Sequence, residues 1–457
     1  MYLFILLKRR VNKNDLNKAQ VRKMKWLILI SIVLSASVFG QNKKLTLEES
    51  LQIGLQNSRQ IKISESVLRS SDEKVTEFTS QMLPKLSLSA GYTYMNLNNP
   101  AELGFGPVPI KVLNPFYAYG MQLSVQQPIF TGFQLSSLRS SAKNTYEAIN
   151  FEHQKNITNK ALEIYSTFWN YFKAQKQVEL IEEYTHSLDE DLKKTKDFVD
   201  NGLATMNDYL KLQLQASNTM LQLIDAKNNL EITRATFNKS LGLPLNDTTE
   251  IETSFPVPQE QIIKYDDLLI DAINNREELK SLEYKIKASE DRITAANSGW
   301  WPKLYASGNF FLYNINAKTF SIEDERMQLW FAGLSLNWDL WNWGYTSSKS
   351  EQAKEEVLQN KESLELLKEQ IEIEIYNAYL TLNSNREKIK VSQFAVLSAQ
   401  ENFRITKDKY DYQLVTSNDL IDAEVELLNS KTKLTISQAD YELAKVKLDL
   451  AVGRRIY

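Results

Sequence analysis

The chain has 457 residues, of which 43% are hydrophobic and 24% charged, and its formal net charge is only −3. A near-neutral chain of this composition is neither a disordered segment nor a nucleic-acid binder driven by electrostatics. It contains no cysteine, which excludes disulfides, thiolate metal sites and cysteine lipidation.

The N-terminal segment has the pattern of an export signal. Basic residues at 22–25 precede an apolar run that ends at Leu34, and small residues follow up to Gly40. We therefore predict a signal peptide over residues 1–40, with Met24 as an alternative start. An N-terminal membrane anchor is the other interpretation, but the apolar run is short for a membrane span.

The remaining chain contains a duplication. Residues 51–62 resemble residues 269–280 at an offset of 218, and beyond the intervening loops the offset becomes 211, which pairs Gly242 with Gly453. Because the register has no gaps at either offset, the resemblance indicates two halves of one architecture.

The duplication gives the domain boundaries. We predict repeat 1 over residues 41–241, a linker over 242–264 and repeat 2 over 265–457. The linker contains Pro244, Pro256 and Pro258 and is therefore expected to be non-helical.

Each repeat contains two segments whose hydrophobicity alternates residue by residue. The apolar period changes from 3.6 to 2 after Pro84 and again after Pro302. The segments have the length and alternation of transmembrane β-strands, and six of the eight tryptophans lie between residues 300 and 343, as interfacial aromatics would. A soluble β-sandwich is the alternative, although two separate hairpins make a poor sandwich. The predicted strands are about 85–97 and 116–130 in repeat 1, and about 303–314 and 327–341 in repeat 2.

Four strands are too few to close a barrel, and open strand edges are not tolerated in lipid. The chain is therefore expected to oligomerise. Two copies would give a barrel with a filled interior, whereas three copies would leave room for a pore.

Very long helices follow the strands. No glycine or proline lies between Tyr345 and Val452, and Gly202 is the only glycine between Phe133 and Leu241. An apolar seam at every seventh position predicts coiled-coil packing of two long hairpins, with tips near 202–205 and 413–416. The seam comprises Ile164, Tyr171, Val178, Thr185, Leu192 and Val199 in repeat 1, and Ile375, Leu382, Ile389, Val396, Phe403 and Tyr410 in repeat 2.

The two tips have related sequences. Repeat 1 contains Gly202-Leu-Ala-Thr-Met-Asn-Asp208, and repeat 2 contains Gln413-Leu-Val-Thr-Ser-Asn-Asp419. Together with the export signal, the duplicated strand pairs and the long hairpins, these tips resemble the TolC-like outer-membrane efflux factors over nearly the whole mature chain. The resemblance implies a mixed α+β membrane protein that trimerises into a 12-stranded β-barrel continued by a 12-helix α-barrel.

The same resemblance implies a function. The protein would be an outer-membrane channel-tunnel, with its helical part in the periplasm of a Gram-negative bacterium. It would serve as the passive exit duct of a tripartite efflux or type I secretion system. Its partners would be itself, as a homotrimer, a periplasmic adaptor (membrane fusion) protein, an inner-membrane pump of the RND or ABC type, and outer-membrane lipid. An exported structural coiled-coil protein without channel activity is the alternative.

Catalytic residues are not predicted. The chain has no phosphate-binding loop, no nucleophile elbow and no cysteine nucleophile, and its two histidines, His153 and His186, are expected to have solvated or interfacial helix roles. We therefore predict no enzyme, no cofactor, no nucleic-acid partner and no dedicated metal site.

Four residues are predicted to form the periplasmic gate. By resemblance, Asp419 and Asp422 match acidic rings that constrict the entrance, and Asp208 and Tyr410 match latches between hairpins. Asp419 and Asp422 are three positions apart and so lie on one helix face. A ring of such carboxylates concentrates cations and can bind di- or trivalent ions that plug it. The alternative is an exposed first helix turn, where the helix dipole favours acids anyway.

The second tip departs from the family pattern. Gln413 replaces the usual glycine, and Val415 replaces a basic residue that often follows it, so a gate that relies on that cation must differ or be weaker here. The residues predicted to dock the adaptor are Gly202, Leu203, Thr205, Leu414 and Thr416. Ordinary packing within each hairpin is the alternative role for these tip residues.

Overall fold

The computed structural model describes residues 44–95, 102–103, 110–111, 116–253, 255, 264–316 and 326–457. The predicted signal peptide and parts of the predicted linker and strand-connecting loops lie outside these residues.

Repeat 1 runs from two short helices through a strand pair into a long helical hairpin. Thr46 caps the first helix through a reciprocal capping box with Glu49. The elements are α1 (Leu47–Asn57), α2 (Arg59–Ser80), β1 (Lys85–Met95), β2 (Glu102–Leu103), β3 (Ile110–Lys111), β4 (Phe116–Phe130), α3 (Gln134–Asp200) and α4 (Met206–Leu241).

Repeat 2 has the same order of helices and long strands. Helix α7 has 67 residues, the same length as α3, so each would span about 100 Å at 1.5 Å per residue. The elements are α5 (Tyr265–Asn275), α6 (Glu277–Ala296), a 3-10 turn (Asn297–Trp300), β5 (Lys303–Asn316), β6 (Arg326–Asn337), α7 (Tyr345–Asp411) and α8 (Ser417–Ala451). We refer to α3 and α4 as the first hairpin, and to α7 and α8 as the second hairpin.

The four long strands form one antiparallel sheet in the order β1-β4-β5-β6. The register aligns apolar side chains on one face, for example Leu88 opposite Leu123 and Phe310 opposite Trp330. The opposite face carries small and polar residues in β1 and β4, where Ser87 bonds Ser124 at 2.7 Å. Among the described residues, no other strand pairs with the outer edges of β1 and β6.

The last strand ends earlier than predicted. We expected it to reach residue 341, but β6 stops at Asn337, opposite Lys303. The partner strand begins at Lys303 because Pro302 has no N–H to donate to the ladder. The chain then turns into α7 through Trp343 and Gly344, which both have positive φ angles, of 54° and 79°.

The helical part is held by apolar contacts between the short helices and the long hairpins. One such cluster centres on Phe168 and Phe237 with Leu51 of α1, and another centres on Ile375 and Leu448. The predicted seam positions Ile164 and Ile375 are fully buried, and several others are nearly so. No described helix is long and apolar enough to cross a membrane.

Candidate functional site at the hairpin tips

The two tips use the same backbone turn. In each, the N–H of a leucine bonds back to a carbonyl of the preceding helix: Leu203 to Phe198 at 2.7 Å and Leu414 to Lys409 at 2.9 Å. This turn needs a residue with positive φ just after the helix, and that residue is usually glycine. Gly202 fills the position with a φ of 72°, whereas Gln413 holds a φ of 59°. The second tip therefore stores backbone strain that the first tip does not.

A capping box closes the start of each returning helix. Thr205 pairs with Asp208, and Thr416 pairs with Asp419. The Oδ2 atom of Asp419 accepts from the backbone N–H of Thr416 at 2.8 Å and from its hydroxyl at 2.7 Å. These bonds lower the pKa of Asp419 below its ordinary value, with the hydroxyl bond as the largest cause. Asp419 is thus an ionised and anchored group at the tip.

The two predicted ring residues are both solvent-exposed. Asp422 follows Asp419 by one turn along α8. Among the described residues, no cluster of three or more histidine, aspartate or glutamate side chains could hold a metal ion. One copy of the chain therefore supplies exposed carboxylates here but not a closed coordination site.

Asp208 and Tyr410 both bond across the two hairpins, although not to each other. Asp208 Oδ1 accepts from the Ser417 hydroxyl at 2.9 Å, and the Tyr410 hydroxyl lies 2.6 Å from that of Thr195. The Asp208 pKa is lowered, first by its bond from the Thr205 hydroxyl. Burial raises the pKa of Tyr410, so this phenol stays protonated and able to donate. Both bonds tie one hairpin to the other close to the tips.

An ion pair adds to these contacts. Lys194 of α3 places its Nζ 2.5 Å from Asp411 Oδ1 at the end of α7. Lys194 of repeat 1 therefore supplies a cation between the two hairpins.

A polar pair on α3 that contacts the second hairpin was not predicted. Ser187, which is half-buried, and Asp191, which is buried, lie one turn apart on α3 and both contact the second hairpin. Ser187 donates a hydrogen bond to Glu424 of α8, and Asp191 lies 3.6 Å from Lys407 of α7. Burial raises the pKa of Glu424 to about 7 and raises the pKa of Asp191. The sequence shows the four-residue spacing of Ser187 and Asp191, but polar residues on an exposed helix face have the same spacing.

The tip leucines are open to solvent. Leu203 is 56% exposed and Leu414 is 72% exposed, so neither side chain is buried by packing within its own hairpin. Gly202, Thr205 and Thr416 are exposed beside them. Each tip therefore offers an apolar side chain on a capped, well-defined turn.

Comparison with known proteins gives a consistent picture. The family model described as "Outer membrane efflux protein" matches residues 51–243 and 268–454. The outer membrane protein TolC of Vibrio cholerae is 22% identical over 423 residues, covering 92% of each chain. The alkaline protease secretion protein AprF of Pseudomonas aeruginosa is 22% identical over 387 residues, covering 81% of this chain and 77% of that protein. The crystal structure of the Campylobacter jejuni CmeC outer membrane channel superimposes with a TM-score of 0.76 at 16% identity, covering 89% of this chain and 85% of the other.

Proposed function

This chain belongs to the outer membrane efflux protein family and is an outer-membrane channel, and we propose that three copies form the passive exit duct of a tripartite efflux or type I secretion system. One observation carries the proposal. A four-stranded sheet, with a continuous apolar face and no partner strand among the described residues at either edge, is joined to a pair of 67-residue helices.

The sheet supports a shared barrel. Its outer-face leucines are widely exposed in the single chain, as with Leu88 at 67% and Leu334 at 72%. In lipid those side chains would be solvated by acyl chains, but the free edges of β1 and β6 would cost several kcal/mol for each unsatisfied backbone group. Pairing β6 of one copy with β1 of the next removes the edges. Three copies then give twelve strands and a lumen lined by the opposite face, which is small and polar in β1 and β4 and carries Phe311, Tyr313 and Phe331 in β5 and β6.

The long hairpins support a tunnel away from the membrane. They extend from the strand ends for about 100 Å, so the tips would lie far into the periplasm. Leu203 and Leu414 would there contact a periplasmic adaptor. The pump in the inner membrane, of the RND or ABC type, would supply the energy.

The tips support a gate. Three-fold symmetry would place Asp419 and Asp422 of each copy around the entrance, where crowded carboxylates favour cations. The bonds from Ser417 to Asp208 and between Tyr410 and Thr195 would hold the hairpins together in the closed state. Opening would then require the second hairpin to move away from the first.

The decisive experiment is single-channel recording of the purified mature protein in a planar bilayer. We expect a small, steady, cation-preferring conductance that a trivalent cation blocks from the periplasmic side. Asp422→Asn should weaken that block at least threefold, because it removes one carboxylate per copy from the entrance. Asp225→Asn, an exposed acid midway along α4, is the matched control and should leave the block unchanged.

The outcomes separate the alternatives. Conductance that trivalent cations do not block would support the duct but would show that the constriction does not lie at Asp422. A folded, water-soluble, elongated particle without conductance would instead support the exported coiled-coil interpretation.

A further inference from the structure

Two buried carboxyl groups lie between the hairpins in the half nearest the tips. Asp191 is 2% exposed and Glu424 is 4% exposed. Asp191 belongs to α3 and Glu424 to α8, so the pair spans the interface that the proposed opening would separate. Buried acids at an interface are costly unless they are fully paired, and their partners therefore decide what they do.

The hydrogen bonding of this pair is incomplete. Glu424 accepts from the Ser187 hydroxyl through Oε1, but its Oε2 atom has no hydrogen-bond partner among the described residues. The Oδ2 atom of Asp191 has none either. A cavity of about 60 Å³ adjoins Glu424, and its walls include Leu180, Phe403 and Leu428. One oxygen of each carboxyl is thus buried without compensation.

The local charges do not balance. Lys407 of α7 is the cation that acts on both acids, at 3.6 Å from Asp191. The other basic groups nearby already have acidic partners: Lys194 pairs with Asp411, and Lys431 of α8 pairs with Glu183 of α3 at 2.8 Å. When both acids are ionised they repel each other across the interface; Lys194 also acts on Asp191, but Lys407 is the cation that acts on both acids.

We propose that the buried Asp191–Glu424 pair favours separation of the two hairpins, and that Lys407 opposes this effect by stabilising the joined arrangement. This inference rests on the proposed function, because it concerns the free-energy difference between the closed and open states of the proposed gate. Separation would hydrate both carboxyls, which are incompletely satisfied in the joined arrangement. The closed and open states of the entrance therefore have similar free energies, so that binding of a docking partner can shift the equilibrium to the open state.

The test uses two variants with opposite expected effects. Glu424→Gln removes the charge and keeps the side-chain shape, so we expect a conductance at least threefold lower and a thermal unfolding midpoint raised by about 2–5 °C. Lys407→Met removes the cation that acts on both acids, so we expect higher conductance and a lower midpoint. Glu426→Gln and Lys409→Met, exposed neighbours on the same helices, are the matched controls and should change neither.

The double variant makes the test specific to the pair. Lys407→Met combined with Glu424→Gln should recover most of the midpoint lost in Lys407→Met, since the two residues act on one charge cluster. A lower midpoint or a higher conductance for Glu424→Gln alone would overturn the proposal, because Glu424 would then hold the hairpins together.

The two readouts also separate this inference from the duct itself. If the wild-type protein shows no conductance but the midpoints shift as expected, the proposed role of the acid pair is supported and the proposed duct is contradicted. If the wild-type protein conducts and neither Glu424→Gln nor Lys407→Met shifts the midpoint, the duct stands and the acid pair is overturned.

Discussion

At the scale of single residues, Gln413 is the most unusual feature of the tips. Its φ of 59° places a residue with a Cβ in the left-handed region, which costs about 1 kcal/mol or more relative to glycine. We expect Gln413→Gly to raise the thermal unfolding midpoint by a few degrees, whereas Gly202→Gln, made at the equivalent position of the first tip, should lower it. Equal midpoints for wild type and Gln413→Gly would mean that contacts of the glutamine side chain offset the strain.

Glu424 predicts a pH dependence of the contact between the hairpins. Its pKa is raised to about 7, first by burial, and would return to about 4.5 once separation hydrates it. Protonated Glu424 therefore stabilises the joined arrangement, fully below about pH 4.5, and this contribution is lost as pH rises to about 7. By linkage the loss amounts to about 3 kcal/mol.

The measurement is conductance as a function of pH. We expect it to increase between pH 5 and pH 8 and to flatten in Glu424→Gln. The single chain lowers the pKa of Asp419, a residue of the proposed ring, so that its titration lies below this window. A pH profile unchanged by Glu424→Gln would assign the titration to another group.

At the scale of elements, the tip turns predict where a partner binds. Leu203 and Leu414 project from capped turns and are mostly exposed. Replacing both with serine removes apolar contact area while leaving the capping boxes of Thr205 and Thr416 intact, so we expect adaptor binding to weaken at least tenfold with little change in stability. Co-purification or surface plasmon resonance with the cognate adaptor measures this. Leu221→Ser, an exposed leucine far along α4, is the control, and equal losses in both would point to a nonspecific effect.

The elements also differ in how far the sequence predicts them. Period-2 alternation located the four strands, and the absence of helix breakers located both hairpins, because these patterns are local. The end of β6 was wrong by four residues, since it depends on where the partner strand starts at Lys303. The polar pair of Ser187 and Asp191 was missed for a similar reason: a polar residue every fourth position is buried only if another helix covers it. The choice of Thr195 as the bonding partner of Tyr410 likewise depends on how the two hairpins dock.

At the scale of the whole molecule, the sheet predicts assembly. Leu88 and Leu123 lie directly opposite each other on the apolar face of β1 and β4. In the proposed barrel both side chains face lipid. A charged residue in that position costs about 2–4 kcal/mol near the bilayer midplane, somewhat less for aspartate than for lysine.

We therefore expect Leu88→Asp with Leu123→Asp to abolish membrane-inserted trimers. Ser87→Asp with Ser124→Asp is the matched control, because that cross-strand pair lies on the opposite face, which would line a water-filled lumen. Membrane fractionation followed by native mass spectrometry of detergent extracts measures the outcome. Because the helices and tips are unchanged in both variants, a loss confined to the leucine pair would identify the apolar face as the lipid-facing side. Wild-type amounts of trimer from the leucine variant would instead place that face away from lipid and overturn the barrel.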